Sequence, residues 1–205
     1  MIKVIIIGSG NVAQHLIAAF QKSQNEGNEI ELIQVFSRKK EALVHLLDSD
    51  RITSDYDQLL EADLYIISVS DDAISTVSGQ LPFKNRLVVH TSGSVPLDFL
   101  DNSNRKGVFY PLQTFTKNKA VDFKNIPICL ESENATDFQL LKKVAQTISD
   151  SVFAINSHQR KALHVAAVFV NNFTNHLYQI GNEICQENQV SFDILKPLIQ
   201  ETAQK

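Results

Sequence analysis

The chain has 205 residues, 43% hydrophobic and 20% charged, with a formal net charge of -4. That composition describes a globular protein large enough for one domain plus a smaller partner, and its charge offers no footprint for nucleic acid or an anionic membrane. No apolar run approaches a membrane span, and the N-terminus begins a strand at once rather than a basic, apolar leader.

The first element is an apolar strand over Lys3–Ile7, which runs into Gly8-Ser9-Gly10-Asn11-Val12-Ala13 and a helical pattern over Val12–Lys22. A strand, a G-x-G-x-x-A turn and a helix form the context of a dinucleotide fingerprint. Gly8 permits the tight turn, Gly10 lets backbone approach a pyrophosphate, and small Ala13 lets the helix pack on the strand. The free N–H groups of that helix then face phosphate.

Further strands are predicted at Glu31–Phe36, Leu64–Ser68, Leu87–His90, Gly107–Phe109, Pro127–Leu130 and Val152–Ile155. Helices are predicted at Lys40–Leu47, Asp71–Gln80 and Ala135–Ser149. The early strands are continuous apolar runs, as expected when helices cover both faces of a parallel, doubly wound sheet. From His158 to about Asn188 one long helix is expected, apolar nearly all round over Ala162–Val170 apart from His164. A second helix starts after Ser191, a plausible N-cap, takes Pro197 in its first turns and runs to Lys205. The expected fold is therefore α/β: a Rossmann-type, mostly parallel sheet over 1–156, then an all-α segment over 157–205. Two helices cannot cover each other's apolar surface. The helical part is expected to lean on the first domain, on a second subunit, or on residues beyond an incomplete segment.

The strand ends carry the candidate chemistry. After the second strand, Ser37-Arg38-Lys39 stands where an NAD site places an acid; hydroxyl and guanidinium suit the 2′-phosphate of NADP, whereas the plainer reading is three solvated cations. Ser68-Val69-Ser70 continues the cofactor wall, and the next acids, Asp71 and Asp72, are expected to cap a helix. His90-Thr91-Ser92-Gly93 follows a buried strand without an immediate helix. It either faces nicotinamide and substrate, with His90 and Ser92 polarising the latter, or forms a turn of hydroxyls satisfying backbone groups. Tyr110 and Gln113 are further candidates. On the long helix His164, Asn171, Asn175, Tyr178 and Asn182 share one stripe at about 100° per residue. His164, with Asn171 or Asn172, is the candidate for proton transfer and orientation. The six histidines and two cysteines lack metal-ligand spacing, and Cys129 and Cys185 read as free thiols of a cytoplasmic protein.

The ordered series Gly8–Ala13, Ser37-Arg38, Ser68–Asp72, His90–Gly93, Pro111–Phe115 and His164-x-Ala-Ala-x-Phe-x-x-Asn172 resembles the Rossmann-like NADP oxidoreductases of the deazaflavin-coenzyme-dependent type. These belong to the wider set of pyrroline-5-carboxylate reductases and 6-phosphogluconate dehydrogenase-like enzymes. The resemblance implies an NADP-binding domain, a helical domain and a homodimer formed through its helices; it implies no substrate. Tyr110 stands where many such sequences carry His. The Lys-x-x-x-Asn pair of 3-hydroxyacid dehydrogenases is missing, since Val165 follows Lys161 and Val168 follows His164 at that spacing. The expected function is hydride transfer to or from a small carbonyl or imine. The alternatives are a non-catalytic NADP(H)-binding sensor or assembly protein, and a deazaflavin-coenzyme reductase.

Overall fold

The computed structural model describes residues 1–117 and 119–204. It divides into two compact units, Met1–Lys161 and Ala162–Lys205.

The first unit is built on one eight-stranded sheet. Its strands are β1 (Ile2–Ile7), β2 (Ile30–Phe36), β3 (Ile52–Thr53), β4 (Leu64–Ile67), β5 (Leu87–His90), β6 (Arg105–Pro111), β7 (Ile128–Ser132) and β8 (Val152–Ala154), in the order β3-β2-β1-β4-β5-β6-β7-β8. Every neighbouring pair is parallel except β6–β7, so β7 and β8 run against the other six. Helices α1 (Asn11–Asn25) and α3 (Ala135–Gln146) pack on one face, where Leu16, Ile17, Phe20, Leu141 and Val144 meet Val4, Ile6, Ile66 and Val89. The short α2 (Ile74–Gly79) and the segment after β5 cover the other, where Ile74, Val95 and Leu100 meet Ile5, Ile7, Ile67 and Val88. With both faces covered, the central strands are apolar at successive positions, which is why they read as unbroken runs. One row across the second face runs Phe36, Ile7, Ile67, His90, Val108, Glu131. It passes from apolar to polar toward the β7 edge.

Several expectations need correction. The predicted helix over Lys40–Leu47 is a 3-10 turn, Lys40–Ala42, followed by a turn in which Leu46 N and Leu47 N both donate to Leu43 O, at 2.8 and 3.1 Å. The turn suffices to bury Leu43 and Leu47, and the chain then returns to pair Ile52 with Val35. β3 has two residues, too few to show a period. Only Ile74–Gly79 of the predicted Asp71–Gln80 helix is α-helical; Asp71–Ala73 is a 3-10 turn. β6 extends beyond Gly107–Phe109 because Arg105 pairs with Asp137 and Lys106 with Glu133, so its charged end has partners inside the fold.

The long helix begins as α4 (Ser157–Ala167), passes through a π turn at Val168–Phe173 and continues as α5 (Thr174–Glu187). A π turn takes in more residues than an α turn and displaces later side chains by about one residue, roughly 100°. The predicted stripe is therefore split: Asn175, Tyr178 and Asn182 remain in line on α5, and His164 falls out of line with them. Ser191 caps a 3-10 turn, Phe192–Leu195, by accepting from Asp193 N, and α6 (Lys196–Ala203) carries Pro197 at its start. Lys205 lies outside the described residues. No described side chain of the second unit is buried, and Val165, Phe169 and Val170, on the segment expected to be covered within a helical bundle or at a subunit interface, are 48%, 60% and 74% exposed in the single chain. Among the described residues no helix is long and apolar enough to cross a membrane.

Candidate functional site

At the carboxyl ends of β1, β2, β4 and β5 the first unit holds a cavity of about 880 Å³. Its floor is the turn from β1 into α1. Gly8 has φ +138°, and a Cβ there would lie 2.0 Å from the Ser68 carbonyl oxygen. The turn can pass beneath β4 only as glycine. Gly10, also in the lining, would meet nothing within 4 Å. The space above it is open. No side chain caps the N-terminus of α1 and its first turn has no acid, so its leading N–H groups are left for an anion. Ser9, Asn11 and Val12 line the cavity; Ala13 is fully buried beneath it, packing helix on sheet.

One flank is the end of β2. Ser37, Arg38 and Lys39 line it. Ser37 is 2% exposed; its hydroxyl donates to Lys39 O (2.8 Å) and accepts from Lys39 N (3.1 Å), so it shapes the turn and its proton is spent. Exposed Arg38 and Lys39 carry the charge. Tyr56, missed by sequence reading, completes this flank and stacks on Phe36 at 4.1 Å between centroids. Burial raises its phenol pKa, and the Arg38 guanidinium opposes that rise.

On the other flank Ser68, Val69, Ser70, Thr91, Gln113 and Phe115 line the cavity. Of the strand-end loop, Thr91 is the residue that reaches the lining, with its hydroxyl 3.3 Å from Ser68 Oγ. His90 and Ser92 lie behind it. His90 Nδ1 accepts from Ser92 N at 3.2 Å, and Ser92 Oγ accepts from Ser94 N and Val95 N at 3.1 and 3.0 Å. Ser92 thus satisfies backbone groups of the turn, as the second reading of this loop expected. Asp71 does not cap: Ser70 occupies the N-cap without a side-chain bond, and Asp71 Oδ2 instead accepts the Ser94 hydroxyl across 23 residues. Asn11 and His15 tie the segment after β6 to α1, through Phe115 O (3.1 Å) and Thr116 O (3.2 Å).

Beneath this flank is a buried polar cluster that sequence reading did not find. Arg160, on the first turn of α4, is 1% exposed. Its Nη1 donates to Glu131 on β7, and its Nη2 to Val95 O (2.6 Å) and Ser157 Oγ (3.2 Å). Glu131 also accepts the Ser157 backbone N–H and hydroxyl. Burial, then the Arg160 guanidinium, lowers the His90 pKa from 6.5 to about 4. With Ser92 N donating to Nδ1, the imidazole proton sits on Nε2 and His90 is neutral near pH 7. Burial pushes Tyr110 up to about 12, the Cys129 thiol adding to the rise. Burial also raises the Cys129 pKa.

A stability consequence follows for His90. The unfolded chain takes up the proton near pH 6.5 and the folded chain near pH 4. The stabilisation is therefore complete above the unfolded value and is lost as pH falls toward about 4, by ~3 kcal/mol in total. Urea titrations across that range are expected to show this loss in the native chain and a clearly smaller one in His90→Gln; equal losses would refute it.

His164 lies on α4 and Asn171 and Asn172 in the π turn, where Asn171 Nδ2 donates to Asn172 Oδ1 (3.1 Å) and Asn175 Nδ2 to Asn171 Oδ1 (3.3 Å). Among the described residues no group of three His, Cys, Asp or Glu side chains could hold a metal ion.

Residues 3–93 match the family model described as NADP oxidoreductase coenzyme F420-dependent, and residues 126–205 match a domain of unknown function. No curated protein matches. Among solved structures, the putative NADP oxidoreductase of Bacteroides fragilis is 38% identical, with 99% of this chain and 79% of that one covered and a TM-score of 0.83. An imine reductase of Streptomyces aurantiacus (15% identity, 98% and 73% covered, TM-score 0.73) shares the fold. So does the Plasmodium falciparum pyrroline carboxylate reductase with NADP bound (14%, 99% and 76%, TM-score 0.68). The fingerprint at Gly8–Ala13, the cavity above it and 38% identity along most of the Bacteroides protein place this chain in that protein's family, the Rossmann-like NADP oxidoreductases.

Proposed function

We propose that the chain is an NADP(H)-dependent oxidoreductase transferring hydride to or from a small carbonyl or imine. The observation that carries this is the cavity itself: an uncapped helix N-terminus under open space at Gly10, with two exposed cations at one flank. These residues fit the cofactor. Gly8–Val12 would hold the pyrophosphate, Arg38 with Lys39 the 2′-phosphate, and Ser68–Ser70 with Thr91 would border the nicotinamide end. A bound nicotinamide supplies the hydride chemistry. The chain's own groups bind, orient and exclude water. His90 and Ser92 act behind the wall, holding the turn that presents Thr91. Neutral at working pH, His90 lacks the second, acidic imidazolium proton and is no general acid there. Proton transfer and substrate orientation are assigned to His164 with Asn171 or Asn172.

The test is calorimetric titration of NADPH and NADH into the chain and into Arg38→Ala. NADPH is expected to bind more tightly. Loss of the charge-assisted bonds should weaken NADPH about tenfold or more and leave NADH nearly unchanged. Equal affinities for both nucleotides, in both proteins, would overturn the choice of NADP. The same preparations, weighed by light scattering, are expected to be dimers, a second copy covering the apolar side chains exposed on the second unit. A monomer mass would remove that part.

A further inference from the structure

At the flank past β2, Arg38, Lys39 and Tyr56 all line the cavity. Among the described residues no hydrogen bond or ion pair engages the Arg38 guanidinium, the Lys39 ammonium or the Tyr56 hydroxyl. Tyr65, packed on the same face of the sheet, shows what a structural hydroxyl does: it donates to Leu60 O at 2.8 Å and accepts from Ala62 N at 3.0 Å. The Tyr56 ring lies on Phe36, with centroids 4.1 Å apart and planes 14° apart. A phenylalanine would stack there equally well, so the fold has no use for the oxygen. The ring is nonetheless firmly placed. Gln34, 6% exposed, buttresses its turn by donating to Gln58 O (3.0 Å) and accepting from Leu60 N (2.9 Å). Thr53 joins that turn to the one carrying Arg38, since Thr53 O accepts from Ser37 N (2.9 Å) and Thr53 Oγ1 from Asp55 N (3.1 Å). Burial raises the phenol pKa, so the hydroxyl meets a ligand at neutral pH with a proton to donate.

We propose that Tyr56 is a specificity-determining residue for the cofactor, its hydroxyl donating to the 2′-phosphate that Arg38 and Lys39 attract. The inference rests on the NADP reading and adds to it a neutral, fixed donor beside two long, exposed cations. A phosphate monoester offers three strong acceptor oxygens, more than one guanidinium satisfies. A donor already held in place binds one of them without further ordering, whereas Arg38 and Lys39 must each be immobilised. The 2′-hydroxyl of NADH carries no charge, so the same phenol does less for it.

The test uses adenosine 2′,5′-bisphosphate and adenosine 5′-monophosphate, which differ in the 2′-phosphate alone, titrated calorimetrically into the full chain and into Tyr56→Phe. The parent is expected to prefer the bisphosphate. Tyr56→Phe should weaken the bisphosphate about tenfold and leave the monophosphate nearly unchanged. It should also melt at the parent temperature, because the oxygen it removes bonds nothing in the fold. In an Arg38→Ala background the same exchange should weaken the bisphosphate again. No further loss there would mean that the hydroxyl acts only by holding Arg38, and would overturn the inference. Unchanged bisphosphate binding in Tyr56→Phe, or an equal loss for both nucleotides, would overturn it as well. The parent titration separates the two levels. A parent without preference for the bisphosphate loses the choice of NADP and this inference with it. A parent that prefers the bisphosphate, with Tyr56→Phe binding it equally well, loses this inference alone.

Discussion

Gly8→Ala is expected to destabilise the first unit by about 2–6 kcal/mol and to abolish nucleotide binding. The added methyl would stand 2.0 Å from the Ser68 carbonyl oxygen and 2.7 Å from its carbon, on a residue held at φ +138°. Neither side can yield cheaply. Ser68 N donates to Ile7 O at 2.8 Å and Gly8 N to Phe36 O at 2.9 Å, so a shift at this point pulls on three central strands at once. Against a typical domain stability of about 5–15 kcal/mol such a loss brings the chain close to unfolding. Gly10→Ala is the informative comparison. Its methyl meets nothing within 4 Å, and an alanine at the helix N-cap costs about 1 kcal/mol. That variant should melt near the parent temperature and still fail to bind NADPH, because the methyl occupies the space proposed for pyrophosphate. Thermal melts and nucleotide titrations on both variants decide the matter. A Gly8→Ala protein as stable as its parent would show that the turn is softer than its contacts require.

Arg160→Ala is expected to cost about 3 kcal/mol of unfolding free energy. It would leave Glu131, whose side chain is 17% exposed, without its cation and Val95 O without a donor, while Ser157 Oγ would keep the Leu97 N–H. The cost falls at the lower end for a buried pair because Ser157 still donates its N–H and hydroxyl to Glu131. Replacing both partners with apolar residues of similar size, Glu131→Leu with Arg160→Met, should recover much of the loss, since no uncompensated charge remains. Denaturant titrations of the two single variants and the double complete the cycle. If Arg160→Ala unfolded at the parent midpoint, the cluster would be contributing nothing to the fold.

The central strands and the glycine turn were legible in the sequence because each is set by local chemistry. Burial on both faces makes β1, β4 and β5 uninterrupted apolar runs, and the Gly8-x-Gly10 turn is spelled in adjacent residues. What stayed hidden depends on partners far apart in the chain. Glu131 and Arg160 are 29 residues apart, and nothing in either neighbourhood announces that they meet. Tyr56 enters the cavity lining from a 3-10 turn without periodicity. His90 and Ser92 were identified as residues of a strand-end loop, but which of its members faces inward is decided by the pleat and by the turn's own hydrogen bonds, and that was Thr91. On the long helix a constant rotation per residue was assumed. The π turn breaks that constancy, and with it the alignment of His164 with the asparagines.

The placement of the two cysteines gives the molecule a built-in handle. Cys129 sits in β7, 2% exposed, with its thiol pKa raised by burial, so it presents little thiolate to a reagent. Cys185 is partly exposed on α5. A maleimide dye therefore attaches to the helical unit alone, and the untouched protein, without any engineered site, can report by fluorescence on that unit while the nucleotide cavity stays unlabelled.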